Sequence, residues 1–178
     1  KESGFYLNDY KKLYDLILKL EKSEKKIILI GVSYALLDFI DNFSLKTKNL
    51  VIIETGGMKG RRKEITREEL HDKLKRGFNS NNIKSEYGMT ELLSQAYSNT
   101  NGIFKSPPWL KILVREINDP LYVKSHGKGA LNFIDLANVN SCSFIASDDI
   151  GEVYRDSSFK VLGRLSDSEI RGCNLMFN

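Results

Sequence analysis

Apolar residues recur along the first half of the chain in two patterns that take turns. Tyr10, Leu13, Ile17 and Leu20 fall at helical spacing among lysines and acids, which predicts an amphipathic helix from about Asn8 to Lys22 with its charged face in solvent. Ile27-Ile28-Leu29-Ile30 is a continuous, largely β-branched run, the pattern of a strand buried on both faces of a parallel sheet, and Gly31 is expected to end it. A second helical face follows in Ala35, Leu36, Phe39, Ile40 and Phe43, then a second buried-type strand in Leu50-Val51-Ile52-Ile53. Together these make a β-α-β unit. Thr66 to Glu69 has the capping-box pattern, with Ile65 and Leu70 placed as a hydrophobic staple, so a further helix is expected to start there and run through Leu74 toward Gly77. Ile83 to Ser85 reads as a third short strand.

After Ser98 the pattern changes. Asn99-Thr100-Asn101-Gly102 is turn chemistry and Ser106-Pro107-Pro108 blocks regular structure, which places a division near Gly102. Beyond Trp109, short apolar runs are spaced by turns: Leu110 to Ile117, Leu121 to Val123, Ala130 to Leu136, Ser143 to Ala146, Val153-Tyr154 and Phe159 to Leu162, with Gly127-Lys128-Gly129 among the separators. The predicted class is therefore α/β: a three-layer parallel-sheet half domain over residues 1–102, followed by a small antiparallel β sheet or barrel over 103–178.

Composition adds exclusions. With 178 residues, 41% apolar and 28% charged, the chain has the make-up of a soluble globular protein. Apolar runs such as Ile27 to Ile30 fall far short of the roughly 20 residues that span a bilayer, and no secretory signal is evident, so a cytoplasmic protein without a membrane span is expected. The formal charge of +4 is scattered. Its densest part, Lys59, Arg61, Arg62 and Lys63, lacks the interleaved aromatic platforms that nucleic-acid binding would use, and no nucleic-acid partner is expected. Cys142 and Cys173 are the only cysteines, without C-x-x-C spacing, which argues against structural zinc and a disulfide framework.

The densest candidate chemistry is Glu86-Tyr87-Gly88-Met89-Thr90-Glu91. A turn after the Ile83–Ser85 strand would present Tyr87 for stacking on a base, Gly88 would let backbone approach it, Thr90 could donate to a phosphate, and Glu91 could hold a hard cation. The same residues also suit a plain surface turn followed by a helix. Gly56-Gly57 ends the preceding strand and, on an adjacent parallel strand, would fall within one ligand's width of Gly88, at the carboxyl edge where such sheets bind ligands; a loop needing positive φ is the other reading. In Ser147-Asp148-Asp149-Ile150-Gly151 a carboxylate at the end of an apolar run can accept from ribose hydroxyls or serve a turn. Arg164, in Gly163-Arg164-Leu165-Ser166-Asp167, can bind a phosphate or ribose oxygen or form a surface ion pair. Cys173 beside Arg171 can be a nucleophile, or a buried thiol near Leu175-Met176-Phe177. His71 is placed on the exposed side of a charged helix and His126 in a turn, and neither is assigned a role.

Thr55-Gly56-Gly57, Tyr87-Gly88-Met89-Thr90-Glu91, Ser147-Asp148-Asp149-Ile150-Gly151 and Gly163-Arg164 with Asp167 and Arg171-Gly172 resemble, in order, the core motifs of adenylate-forming enzymes, the acyl-CoA synthetase and luciferase superfamily. Gly56-Gly57-Met58-Lys59 and Ser168-Glu169-Ile170-Arg171-Gly172-Cys173 look most like the acyl-protein synthetase (LuxE-like) family, which supplies fatty acids to the reductase of bacterial bioluminescence. The resemblance covers nearly all of this sequence but only the later half of a full-length member. No phosphate loop of the family type is found, and the lid domain and catalytic lysine of typical acyl-CoA synthetases are also missing.

The resemblance implies activation of a fatty acid or other carboxylic acid by ATP and Mg²⁺ to an acyl-adenylate, then transfer to a thiol. Gly56, Gly57 and Tyr87 would frame adenine, with Gly88 and Met89 also among the nucleotide-binding residues; Thr90 would contact the α-phosphate, Glu91 would help hold magnesium, and Asp149 and Arg164 would hold the ribose. Asp148 stands where the wider superfamily has glycine, so either aspartate can be the ribose ligand. Cys173 would carry the acyl group, with acyl reductase or transferase proteins as partners. Two rivals remain: a phenylacetate-CoA ligase-like fragment whose acceptor is coenzyme A, and a non-catalytic nucleotide-binding domain.

Overall fold

A computed structural model describes residues 2–99 and 101–165. Helix α1 (Tyr10–Glu21) starts where the Asp9 carboxylate accepts from the Lys12 amide at 3.2 Å. Strand β1 (Ile27–Val32) continues through Gly31, which the sequence reading had as its end, and passes without a loop into α2 (Ser33–Asn42). The glycine serves packing instead: a Cβ at Gly31 would lie 2.7 Å from Leu36 Cδ2, so its absence lets α2 fold back on the strand. After β2 (Leu50–Thr55), helix α3 (Arg67–Phe78) is capped as expected, Thr66 Oγ1 accepting from the Glu69 amide at 3.1 Å, and ends in a left-handed Asn79.

The remaining strands are β3 (Ile83–Tyr87), β4 (Ala96–Ser98), β5 (Ile103–Lys105), β6 (Leu110–Arg115), β7 (Val123–Lys124), β8 (Gly127–Asp135), β9 (Phe144–Val153) and β10 (Phe159–Arg164). Two segments read as punctuation are strand. Gly127-Lys128-Gly129 opens β8, where it pairs with β9, and Ser147 to Gly151 lies inside β9, where Ile150 and Gly151 pair with both β8 and β10 and Asp149 with β10. The close backbone approach there needs glycine: a Cβ on Gly151 would sit 2.6 Å from the Lys160 carbonyl oxygen.

All strands join one ten-stranded sheet in the order β1-β2-β3-β4-β5-β10-β9-β8-β6-β7. β1, β2 and the start of β3 are parallel, whereas Glu86 and Tyr87 pair antiparallel with β4. The changeover thus falls inside β3, upstream of the Asn99–Gly102 turn. Four strands separate β3 from β8, so a flat sheet at about 4.8 Å per strand would hold them roughly 24 Å apart. The rings of Tyr87 on β3 and Phe133 on β8 are instead 5.7 Å apart, so the antiparallel part curls toward a barrel. Inside the curl Tyr87, Phe104, Phe133 and Phe159 form an aromatic core.

The second core lies between the helices and the parallel strands. Ring contacts run from Tyr10 in α1 to Phe39 in α2 and on to Phe78 in α3, over Leu50, Ile52 and Ile83. This is the expected α/β class with a parallel part preceding an antiparallel one. Two of the three layers are present among the described residues, helices covering one face of the sheet. β1 is accordingly not buried on both faces: Ile28 and Ile30 on the uncovered side are 60% and 56% exposed.

Gly77 tests the helix packing. Alanine in place of an interior helical glycine ordinarily gains about 0.5–1 kcal/mol, but here the new Cβ would lie 2.5 Å from Ile40 Cβ. Gly77→Ala is therefore expected to lower stability by roughly 1–2 kcal/mol, read as a lower urea midpoint at unchanged slope. Against an Ile40→Ala background the same change becomes neutral or stabilising.

Candidate functional site

β3 organises the site through its two-residue period. Ile83, Ser85 and Tyr87 face inward, Lys84 and Glu86 outward. Tyr87 was expected in a turn with its ring presented to a base. The strand instead extends through Tyr87, and its ring, 9% exposed, is stacked on Phe133 and met edgewise by Phe104 and Phe159. What Tyr87 offers is its hydroxyl, which donates to Asp149 Oδ2 at 2.6 Å across 62 residues of sequence. Asp149 and Arg164 are register partners on β9 and β10, and Arg164 Nε lies 3.0 Å from Asp149 Oδ1. Strand alternation separates the two candidate ribose ligands: Asp149 is buried in this group, while Asp148 is exposed and 3.9 Å from Arg164.

On the opposite face of β3, the Glu86 carboxylate joins neighbouring strand ends. Thr55 Oγ1 donates to one oxygen at 3.0 Å and the Tyr97 hydroxyl to the other at 2.9 Å. Burial and then the adjacent carboxylate push the Tyr97 phenol above its ordinary pKa. This bond sets Gly56-Gly57 beside the Tyr87-Gly88 strand end, as adjacent parallel strands require. Gly56 has φ of +64°, so the loop's need for positive φ is also met here.

The loop after β3 carries Gly88, Met89, Thr90 and Glu91. Met89 packs against the aromatic core, while Thr90 and Glu91 are exposed in a turn. No helix follows; the chain turns into β4. Asp135, fully buried at the end of β8, clamps this loop: the amides of Leu93 and Ser94 donate to Oδ2 at 2.9 and 2.8 Å, and Ser94 Oγ donates to Oδ1 at 2.8 Å. Trp109 Nε1 donates to Ser94 Oγ at 3.0 Å, and Asn138 Nδ2 to the Glu91 carbonyl at 3.0 Å. Burial alone would raise the Asp135 pKa, but the Ser94 hydroxyl and the amides of Ser94, Ala137 and Leu93 outweigh it and hold the carboxyl below its usual value.

Several functional groups escaped the sequence reading. His71 is not on an exposed face: it is buried, with Nε2 2.9 Å from Ser85 Oγ and 3.4 Å from Glu54 Oε1. It lies three residues before Leu74 and seven before Phe78, which puts it on the buried stripe of α3; that spacing was the available signal. Glu54 and Asp135 gave none, since each ends a strand whose partners come from elsewhere in the chain. Cys173, with Asp167, Arg171 and Gly172, lies outside the described residues. Among the described residues no cluster of three metal-ligating side chains occurs, and no helix is long and apolar enough to cross a membrane. In the basic cluster, Arg62 pairs with Asp38 and Asp41, and Arg61 lies over the Tyr34 ring.

Solved structures that include ligases and a coenzyme A synthetase share this fold. A mutant form of coronafacic acid ligase from Pectobacterium brasiliense matches with a TM-score of 0.61 at 18% identity, over 91% of this chain and 33% of that one. ATP-bound MatB from Rhodopseudomonas palustris gives 0.60 at 15%, over 88% and 33%. O-succinylbenzoate coenzyme A synthetase from Bacillus subtilis, in complex with ATP and magnesium ion, gives 0.58 at 16%, over 90% and 35%. The sheet and its strand-end loops share the fold of these ligases and synthetases, of which this chain spans about a third of the length. Residues 4–178 match the family described as acyl-protein synthetase, LuxE, and the chain belongs to that family. A search of curated proteins finds no match.

The Asp135 clamp has a pH signature. A carboxyl whose folded pKa is depressed contributes stability that is fully present above the unfolded value, near 3.8, and lost as pH falls through the lower folded value. Asp135→Asn, which removes the charge from these bonds, is expected to cost roughly 1.5–3 kcal/mol at neutral pH. Melting temperatures of the two proteins, followed by circular dichroism, should converge as the pH is lowered below 4.

Proposed function

We propose that this chain is the carboxyl-terminal portion of an ATP-dependent acyl-protein synthetase that adenylates a long-chain fatty acid and passes the acyl group to a cysteine thiol. The observation that carries the reading is the Tyr87–Asp149–Arg164 group: residues from β3, β9 and β10 meet at one point, and Glu86 ties that point to the Gly56-Gly57 loop. Family membership and the fold of the ATP-bound neighbours support the same reading.

In this proposal Gly56, Gly57, Gly88 and Met89 form the adenine side of the site. Tyr87 acts through its hydroxyl, holding Asp149 where that carboxylate and Arg164 can meet ribose oxygens. Thr90 donates to the α-phosphate. Glu91, an exposed carboxylate on a clamped loop, fits magnesium, which commonly takes one or two protein carboxylates alongside phosphate oxygens. Bound there, the metal would neutralise phosphate charge during attack by the fatty acid's carboxylate oxygen on the α-phosphorus, with pyrophosphate leaving. The Cys173 thiolate then attacks the acyl carbon and displaces AMP, leaving a thioester. The likeness to a coenzyme A synthetase favours a second reading in which coenzyme A is the acceptor.

Isolated residues 1–178 are expected to bind AMP weakly and to catalyse no pyrophosphate exchange; robust exchange would refute the assignment of only part of the machinery to this segment. Asp149→Ala should weaken AMP binding roughly tenfold or more in calorimetric titration. A longer protein containing this segment, given labelled fatty acid and ATP, should retain label on Cys173 and lose it in Cys173→Ser. Label passing to coenzyme A with Cys173→Ser unaffected would select the second reading.

A further inference from the structure

Beneath the Gly56-Gly57 loop lies a buried polar group that the proposed reaction does not use. Glu54, 2% exposed, faces the helices from the end of β2. Ser33 Oγ, at the start of α2, donates to Glu54 Oε2 at 3.1 Å and stands 3.2 Å from the carbonyl oxygen of Gly56. From α3, Arg67 Nε lies 3.8 Å from Glu54 Oε1, and His71 Nε2 lies 3.4 Å from that same oxygen and 2.9 Å from Ser85 Oγ on β3. Three elements meet at this carboxylate, β2, α2 and α3, and His71 extends the group to Ser85 on β3.

The geometry excludes a nucleophile relay. Ser85 and Glu54 share a single ring nitrogen of His71, so the imidazole cannot take a proton from one at one nitrogen while giving to the other across the ring. It suits a brace. Ser33 has one hydroxyl proton, and Glu54 and the carbonyls of Thr55 and Gly56 all lie within its reach, so Ser33 links Glu54 to the peptides at which the chain leaves β2 with positive φ. His71 carries the same connection to Ser85, two residues before Tyr87. A buried carboxylate is costly unless its partners are held in place, so the group is a rigid junction and not a solvated face.

We propose that Glu54 and His71 are positioning residues that lock the Thr55-Gly56-Gly57 loop to the Ser85–Gly88 strand end through Ser33 and Ser85. The consequence for nucleotide affinity rests on the function proposed above; the locking does not.

Hydrogen exchange of the whole chain, read over residues 55–58 and 85–89, tests it alongside AMP titration. His71→Phe, of similar bulk but without a donor, should speed exchange in both segments at least tenfold while α1 is unchanged, and weaken AMP binding about as much. His71→Gln, which keeps an N–H donor, should restore most of both. Exchange in His71→Phe equal to the parent's, or His71→Gln behaving like His71→Phe, overturns the proposal. If His71→Phe does not fold, Ser33→Ala decides: faster exchange confined to 55–58 supports the junction and unchanged exchange refutes it. A parent chain that binds no AMP would remove the nucleotide reading, while the exchange pattern still decides the locking.

Discussion

Two inward-facing residues on one short strand hold this structure together. β3 pairs in parallel with β2 and antiparallel with β4, so it belongs to both halves of the sheet, and its period of two sends Ser85 toward the helical core and Tyr87 toward the aromatic one. Ser85 meets His71, and Tyr87 meets Asp149. A slip of one residue in β3 would exchange Ser85 and Tyr87 for Lys84 and Glu86, putting charge into both cores at once. The register is therefore specified from both sides, and the outward Glu86, bonded to Thr55 and Tyr97, fixes it again from the opposite face.

The curl of the antiparallel strands turns this local rule into a site. Asp149 and Arg164 are paired across β9 and β10, far from β3 in strand order, and reach Tyr87 only because the sheet bends through the aromatic cluster. Each aromatic pair there adds about 0.5–1.5 kcal/mol beyond its buried area. Packing and site geometry thus share the same side chains, Tyr87 foremost, and a core substitution at Phe133 or Phe159 would be felt at Asp149.

Much of this was legible in the chain itself. The helical spacing of Tyr10 to Leu20, the capping box at Thr66 and the runs at Ile27 and Leu50 each state a local preference that tertiary packing did not override. The order of the strand-end loops pointed to the adenylate-forming class. What failed was also local: Asp148-Asp149 and Gly127-Lys128-Gly129 read as turns because such residues disfavour strands, whereas cross-strand partners decide the matter for β8 and β9. Tyr87 was expected at a turn because the strand's last two residues, Glu86 and Tyr87, take their pairing from β4, which the pattern of apolar residues did not disclose. Glu54 and Asp135 were silent for a related reason, since a carboxylate's worth in a core depends on donors that only the fold supplies.

β1 carries a consequence of a different kind. It stands at one margin of the sheet, and its isoleucines at 28 and 30 look into water on the side without helices. A β-branched strand whose outer edge is unpaired among the described residues is a template for another copy of itself. In concentrated solution this segment by itself carries a built-in route to edge-to-edge self-association, and a lysine introduced at position 28 would blunt that route without entering either core.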